Sequence, residues 1–218
     1  MNAIETYLRH DFKIVVSQDE DAQNPREDDN LATLALFHKR YVLGDKDHGF
    51  DHSDYRSWDE LEDAIRKQED PAVILPVYMI DHSGISVRTT SFNDCWDSGQ
   101  VGFAWITKAQ ASKEYGWKRL SSKRIAKLKE HVVNEVQTYD DYLTGSVYVV
   151  SVENPDGEVV ESCGGYCGSA SVEEDGYAIK EAKATADRLQ DEWNCEQARA
   201  ALPENRPDQM ALGLPGIP

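Results

Sequence analysis

The sequence predicts an α+β fold, an antiparallel sheet built from hairpins with helices packed on one face. Three observations predict it. Strand-like runs arrive in pairs: PAVILPVYMI and ISVRTTSF flank Asp81-His82-Ser83-Gly84, and SVYVVSVE and EVVESCGGY flank Asn154-Pro155-Asp156-Gly157. Short polar turns containing Gly close hairpins of this kind. Between and after the pairs lie segments with helix-capping residues and an apolar period of three to four. Finally, no strand leads into a glycine-rich turn and helix, so the strands should pair antiparallel rather than through crossovers.

In chain order, KIVVS (13–17) reads as a short strand, and QDEDAQNPREDDN after it as an acidic loop with too little apolar surface to order itself. LATLALFHKRYVLG (31–44) is apolar enough to be core; its period fits helix and strand about equally, and strand is preferred. Ser57 and Glu60 form a capping-box pattern opening a helix from Trp58 to about Gln68, with Trp58, Leu61, Ala64 and Ile65 on one face and Pro71 preventing continuation. After the first hairpin, VGFAWI (101–106) is a third strand, and Thr107 with Gln110 caps a helix that runs to Tyr115 and ends at Gly116. Ser121 or Ser122 opens a longer helix to about Leu143, with Ile125, Leu128, Val132, Val136 and Tyr139 repeating at helical spacing and Gly145 terminating it. Residues 172 to about 194 are helical again. The expected organisation is one α+β domain over 1–202 and a disordered Pro- and Gly-rich tail over 203–218.

At 218 residues and 40% hydrophobic the chain can bury a core without staples, so Cys95, Cys163, Cys167 and Cys195 are expected as free thiols. No apolar run approaches the roughly 18 to 20 residues of a membrane span, and Met1 to Phe12 lacks signal-peptide order. The expected location is the cytoplasm of a bacterial host cell. The net charge of −17 is unevenly placed. Residues 1–70 hold 9 basic and 18 acidic side chains and residues 130–218 hold 5 and 18, whereas Lys108 to Lys129 hold eight basic residues against Glu114 alone. Direct contact with nucleic acid or an anionic membrane is disfavoured over most of the surface, and a basic protein is the favoured partner.

His48 and His52 lie among Asp45, Asp47, Asp51 and Asp54, six candidate metal ligands within ten residues. The EF-hand pattern fails there, with Phe50 in place of the glycine and Arg56 in place of the bidentate Glu. Cys163-Gly-Gly-Tyr-Cys167 could chelate or be a glycine turn, and Cys95 with His82 or His38 could pair as nucleophile and base, though no local nucleophile signature surrounds it. Signatures of phosphate loops, dinucleotide sites, zincins and serine hydrolases do not occur, and no cofactor is implied. Lys118, Arg119, Lys123, Arg124, Lys127 and Lys129 could grip phosphates, provided they share one exposed stripe free of carboxylate partners.

Three blocks, NPREDDNLATLALFHKRYVLGD, DHSGISVRTTSFNDCWDSGQVGFAWITK, and TYDDYLTGSVYVVSVE followed by ESCGGYCG, resemble a family carried by bacteriophages and other mobile elements. They anchor most of residues 24–168. Its members look like small accessory proteins without assigned activity, so the resemblance implies a genetic setting rather than a mechanism. The chain departs at Asp28-Asp29, where an aromatic is expected, and at Gly164-Gly165, where a bulky residue is.

The functional expectation is an acidic accessory protein that binds a basic host protein, a host-defence inhibitor with a DNA-mimic-like surface. Asp19, Glu20, Asp21, Glu27, Asp28 and Asp29 at one end, with Asp187, Asp191 and Glu192 on the last helix, are its candidate partner-binding residues. The alternative is a metal-dependent enzyme using the His48/His52 loop.

Overall fold

The computed structural model describes residues 3–82, 84–92 and 96–200, with residue 200 described by its backbone alone. In chain order the described residues form β1 (Ala3–Arg9), β2 (Phe12–Gln18), β3 (Thr33–Leu36), α1 (Trp58–Glu69), β4 (Pro71–Asp81), β5 (Ile85–Arg88), β6 (Ser98–Thr107), α2 (Lys108–Tyr115), α3 (Ser122–Leu143), β7 (Val147–Glu153), β8 (Val159–Cys167) and α4 (Tyr177–Ala200). The fold is α+β and its strands are antiparallel, but they make two four-stranded sheets where one was expected: β1-β2-β7-β8 and β3-β6-β4-β5. Turn chemistry specifies which neighbours form hairpins. It says nothing about β2 pairing with β7, in a register that sets Lys13 opposite Glu153.

Helices on one face describes only the first sheet, where α4 buries Ala178, Ile179, Ala182 and Ala186 against Phe12, Ile14, Val16, Val150 and Val152. The second sheet is covered on both. Along β6, Ala104 and Ile106 face a core with Leu128, Val132, Val136 and Tyr139 of α3. The alternate residues Phe103 and Trp105 face Leu61 and Ile65 of α1. Each of the four α3 side chains is at most 2% exposed, and burials of this size contribute about 1.5–3 kcal/mol apiece.

Local signals place most element ends. Thr107 and Gln110 form the full reciprocal capping box, whereas Ser57 caps the Glu60 amide and the Glu60 carboxylate accepts from the Arg56 amide instead of Ser57. Three expectations shift. The 31–44 strand shrinks to β3, because the chain turns away at Phe37 and returns only at Gly44, which bridges Ala35 with φ +70°. A Cβ on Gly44 would lie 2.4 Å from the Leu34 carbonyl oxygen, so this close return needs glycine. The last helix starts at Tyr177 rather than 172 and runs on to Ala200. The expected tail lies outside the described residues.

Candidate functional site

The acidic segment after β2 is ordered, contrary to expectation, because Arg26 anchors it. Asn24 caps a 3-10 turn over Pro25–Glu27 and fixes the entry to Arg26. The Arg26 side chain, 3% exposed, bonds both Asp45 oxygens at 2.8 and 2.9 Å, Glu135 of α3 at 2.9 Å and the Ala32 carbonyl at 2.7 Å. Burial works against its charge, but the bonds to Asp45 and Glu135 outweigh it and the guanidinium stays ionised. Glu135 also accepts from the Leu31 and Ala32 amides, and Asp45 from the Leu34 amide on the edge strand β3.

Anchored in this way, the segment forms one wall of a cleft of about 510 Å³, with Thr138 and Tyr142 of α3 and Gly164 and Gly165 of β8 across from it. Asp19, Asp21 and Asp28 all line it. Asp19 is positioned by its backbone, which donates to the Val147 carbonyl at 2.8 Å. Its carboxylate accepts from the Gly165 amide at 3.2 Å and the Asp21 amide at 3.2 Å. The Gly165 bond depends on a β-bulge: two residues of β8 stand opposite Val149, and Gly165 has φ +78°. A Cβ on Gly164 would lie 2.9 Å from the Asp19 carboxylate. Carboxylates around the Tyr142 ring suit the charged head and apolar stem of a Lys or Arg side chain. Cys167 also lines the cleft; burial, with Asp141 beside it, pushes its thiol pKa up, away from nucleophilic reactivity.

The other proposed partner-binding residues scatter. Glu20 and Glu27 are exposed on the same segment, while Asp29 faces a separate recess with Lys113 and His131. On α4, Asp187 is spent on structure: Arg9 binds it at 2.7 and 2.8 Å and His10 at 2.7 Å, holding the helix to the β1–β2 turn. The Arg9 bonds pull its pKa down to about 2. Glu192 pairs with Arg188 one turn away at 3.1 Å, and Asp191 is exposed. Of the three α4 carboxylates, Asp187 is thus tied to Arg9 and His10, Glu192 is paired with Arg188, and Asp191 is exposed.

Most of the candidate metal ligands of the His48/His52 loop are engaged elsewhere. Among the described residues no three His, Cys, Asp or Glu side chains are placed to hold an ion. Asp45 is taken by Arg26, and Asp51 caps a 3-10 turn by accepting from the Ser53 amide and hydroxyl. The His48 Nδ1 accepts from the Phe50 amide at 3.2 Å, and burial, ahead of the opposing pull of Asp45 and Asp47, lowers its pKa. Asp47 and Asp54 add no convergent ligand. The His48 and His52 rings pack on Phe37 instead. Cys163 and Cys167 stand opposite Val150 and Val147 of β7, on either side of the bulge, and belong to no group of three ligands among the described residues. Cys163, Cys167 and Cys195 are free thiols. Cys95 lies outside the described residues.

The basic segment gathers around two stacked rings, Tyr115 and Trp117, 4.4 Å apart at 17°. Arg124 lies 5.1 Å from the Trp117 centroid and Lys127 4.7 Å from that of Tyr115. Among the described residues no carboxylate lies within 4.0 Å of the charged groups of Lys118, Arg119, Lys123, Arg124 or Lys127. Lys129 falls about 200° round the helix from Lys127, off this stripe, and Glu130 borders it.

Sequence reasoning missed Arg26 and Glu135; the two carboxylates that hold Arg26 lie 19 and 109 residues from it. It also missed Tyr142 as a cleft residue, three positions beyond Tyr139, where the apolar series read from the sequence ended. No protein-family model matches the chain, nor does any curated protein or solved structure.

Proposed function

We propose that the protein acts by binding a basic protein and that the Asp19–Asp21–Asp28 cleft receives a Lys or Arg side chain of that partner. The observation that carries this reading is the convergence of three loop carboxylates on one recess, with Arg26 holding the loop that presents them. A net charge of −17 adds long-range steering toward basic surfaces. The family resemblance supplies the setting, a mobile-element accessory protein in a bacterial host, and small acidic proteins of such elements that mimic DNA against host defences supply an analogy.

Capture from a bacterial lysate at low salt yields a candidate partner, and binding kinetics test the reading. Asp21→Lys with Asp28→Lys leaves the Asp19–Gly165 bond in place and should weaken binding at least about tenfold, mostly through slower association. Asp191→Lys should change little. Raising salt, which screens exposed charges beyond about 8 Å at physiological ionic strength, should slow association more than it speeds dissociation. A partner that binds the double variant as well as it binds the native chain, or equally well in high salt, defeats the proposal.

A further inference from the structure

The rings counted as metal ligands have a different chemistry in their packed setting. Phe37, just past the end of β3, is their centre. The His48 ring meets it edge-on at 5.2 Å and 78°, and the rings of His52 and Trp58 lie 5.8 and 6.3 Å away. His52 and Trp58 are themselves 4.4 Å apart. These four side chains are half-buried and line a recess of about 630 Å³, a size in the range of small-molecule sites.

The lining of this recess carries cations that are not paired within it. Lys39 and Lys46 line it, are exposed, and have no carboxylate within 4.0 Å among the described residues. Of the carboxylates that line it, Asp45 is neutralised by Arg26, while Asp51, held by the Ser53 amide and hydroxyl, keeps its negative charge against the two lysines. Because the His48 Nδ1 accepts from Phe50, its Nε2 bears the proton of the neutral ring and is a donor. The recess thus combines aromatic surface, two uncommitted ammonium groups and an N–H donor.

We propose that this recess binds a small ligand made of a planar ring and an anionic group, with the chemistry of a nucleoside monophosphate. The ring would pack on Phe37 and Trp58, and Lys39 and Lys46 would take the phosphate. This site shares no residue with the acidic cleft, and the two assignments stand or fall separately.

Calorimetry and amide NMR on the full chain with AMP, adenosine and inorganic phosphate test it. AMP should bind at least about tenfold more tightly than either half, because neither the rings nor the lysines alone supply the whole contact. Its perturbations should fall within residues 37–58 and include the Trp58 indole. Lys39→Glu with Lys46→Glu, both exposed, should keep the unfolding midpoint and weaken AMP binding at least about tenfold. Trp58→Phe should retain binding that Trp58→Leu loses, while Asp21→Lys with Asp28→Lys should leave AMP affinity unchanged. The proposal is overturned if AMP does not bind near 1 mM, if adenosine matches it, if the lysine reversals have no effect, or if a single-stranded oligonucleotide binds more tightly than the mononucleotide.

Discussion

The two ends of α3 are charged with the wrong sign for their helix. Lys123, Arg124 and Lys127 crowd the N-terminus, where the aligned peptide dipoles are positive, and Asp140 and Asp141 sit at the C-terminus, where they are negative. The ends differ in what offsets this. At the C-terminus, Asp140 accepts from the Val87 amide of the edge strand β5 at 2.8 Å, and Asp141 accepts from Gln137. At the N-terminus the cations reach, among the described residues, only rings and the Arg119 carbonyl. The acidic end is therefore part of the fold, whereas the basic end is surface charge. Midway, Arg26 and Glu135 couple the helix to the acidic loop, so Glu135 is committed to the fold while Asp21 and Asp28 of that loop line an open cleft. Equal charge in the sequence does not mean equal charge available for binding.

The sharpest way to break this comparison is to remove the coupling. Arg26→Met would leave Asp45 and Glu135, whose side chains are 23% and 14% exposed, without the guanidinium that joins them, Glu135 keeping only His131 beside it. The expected loss is about 3–5 kcal/mol, read as a lower urea midpoint. Adding Glu135→Gln should recover part of it. A loss below about 1 kcal/mol would mean that the loop is held by something other than Arg26.

Arg26 also marks the limit of what was legible in the sequence. Hairpins, caps and the long amphipathic helix depend on residues within a few positions of one another, and most of those elements stand close to where local chemistry put them. Other features depend on distance in sequence. Division into two sheets follows from Lys13–Gln18 meeting Tyr148–Glu153, and β1 is an edge strand with exposed Ile4 and Leu8 that no periodicity announced. The acidic loop read as unable to order itself because its anchor is one cation whose acceptors are remote. At the candidate sites the residue types were visible but their commitments were not. Asp187 and Asp45 look like Asp21 and Asp28 in the sequence, yet the first two are tied to arginines while the latter pair lines an open cleft.

A smaller effect is expected at the acidic end of α3. Asp140→Ala strips the Val87 amide of its acceptor and uncovers part of an edge strand. Leaving a buried donor unsatisfied costs about 1–3 kcal/mol, and relief of the unfavourable dipole interaction returns about 0.3–1 kcal/mol, for a net loss near 1 kcal/mol. Asp140→Asn, which keeps an acceptor oxygen, should lose less. If alanine and asparagine were equally stable, the helix carboxylate would be as unengaged as the lysines at the other end.

The smallest effect, and the one of opposite sign, belongs to the basic end. Lys123→Glu places an acid in the first turn of α3, one residue before Arg124, whose amide donates to the Ser121 cap. It also replaces a like-charge pair with Lys127, four residues on, by an attractive pair of the favoured Glu-to-Lys polarity. Both changes favour the helix, and the expected gain is about 0.5–1 kcal/mol in low salt, shrinking as salt is raised. Lys127→Glu should gain less, because Lys127 gives up its position over the Tyr115 ring. Urea midpoints at low and high salt separate the two variants. A loss on Lys123→Glu would place an attractive partner for Lys123 in the folded chain, and the contrast between a committed acidic end and an uncommitted basic one would be lost.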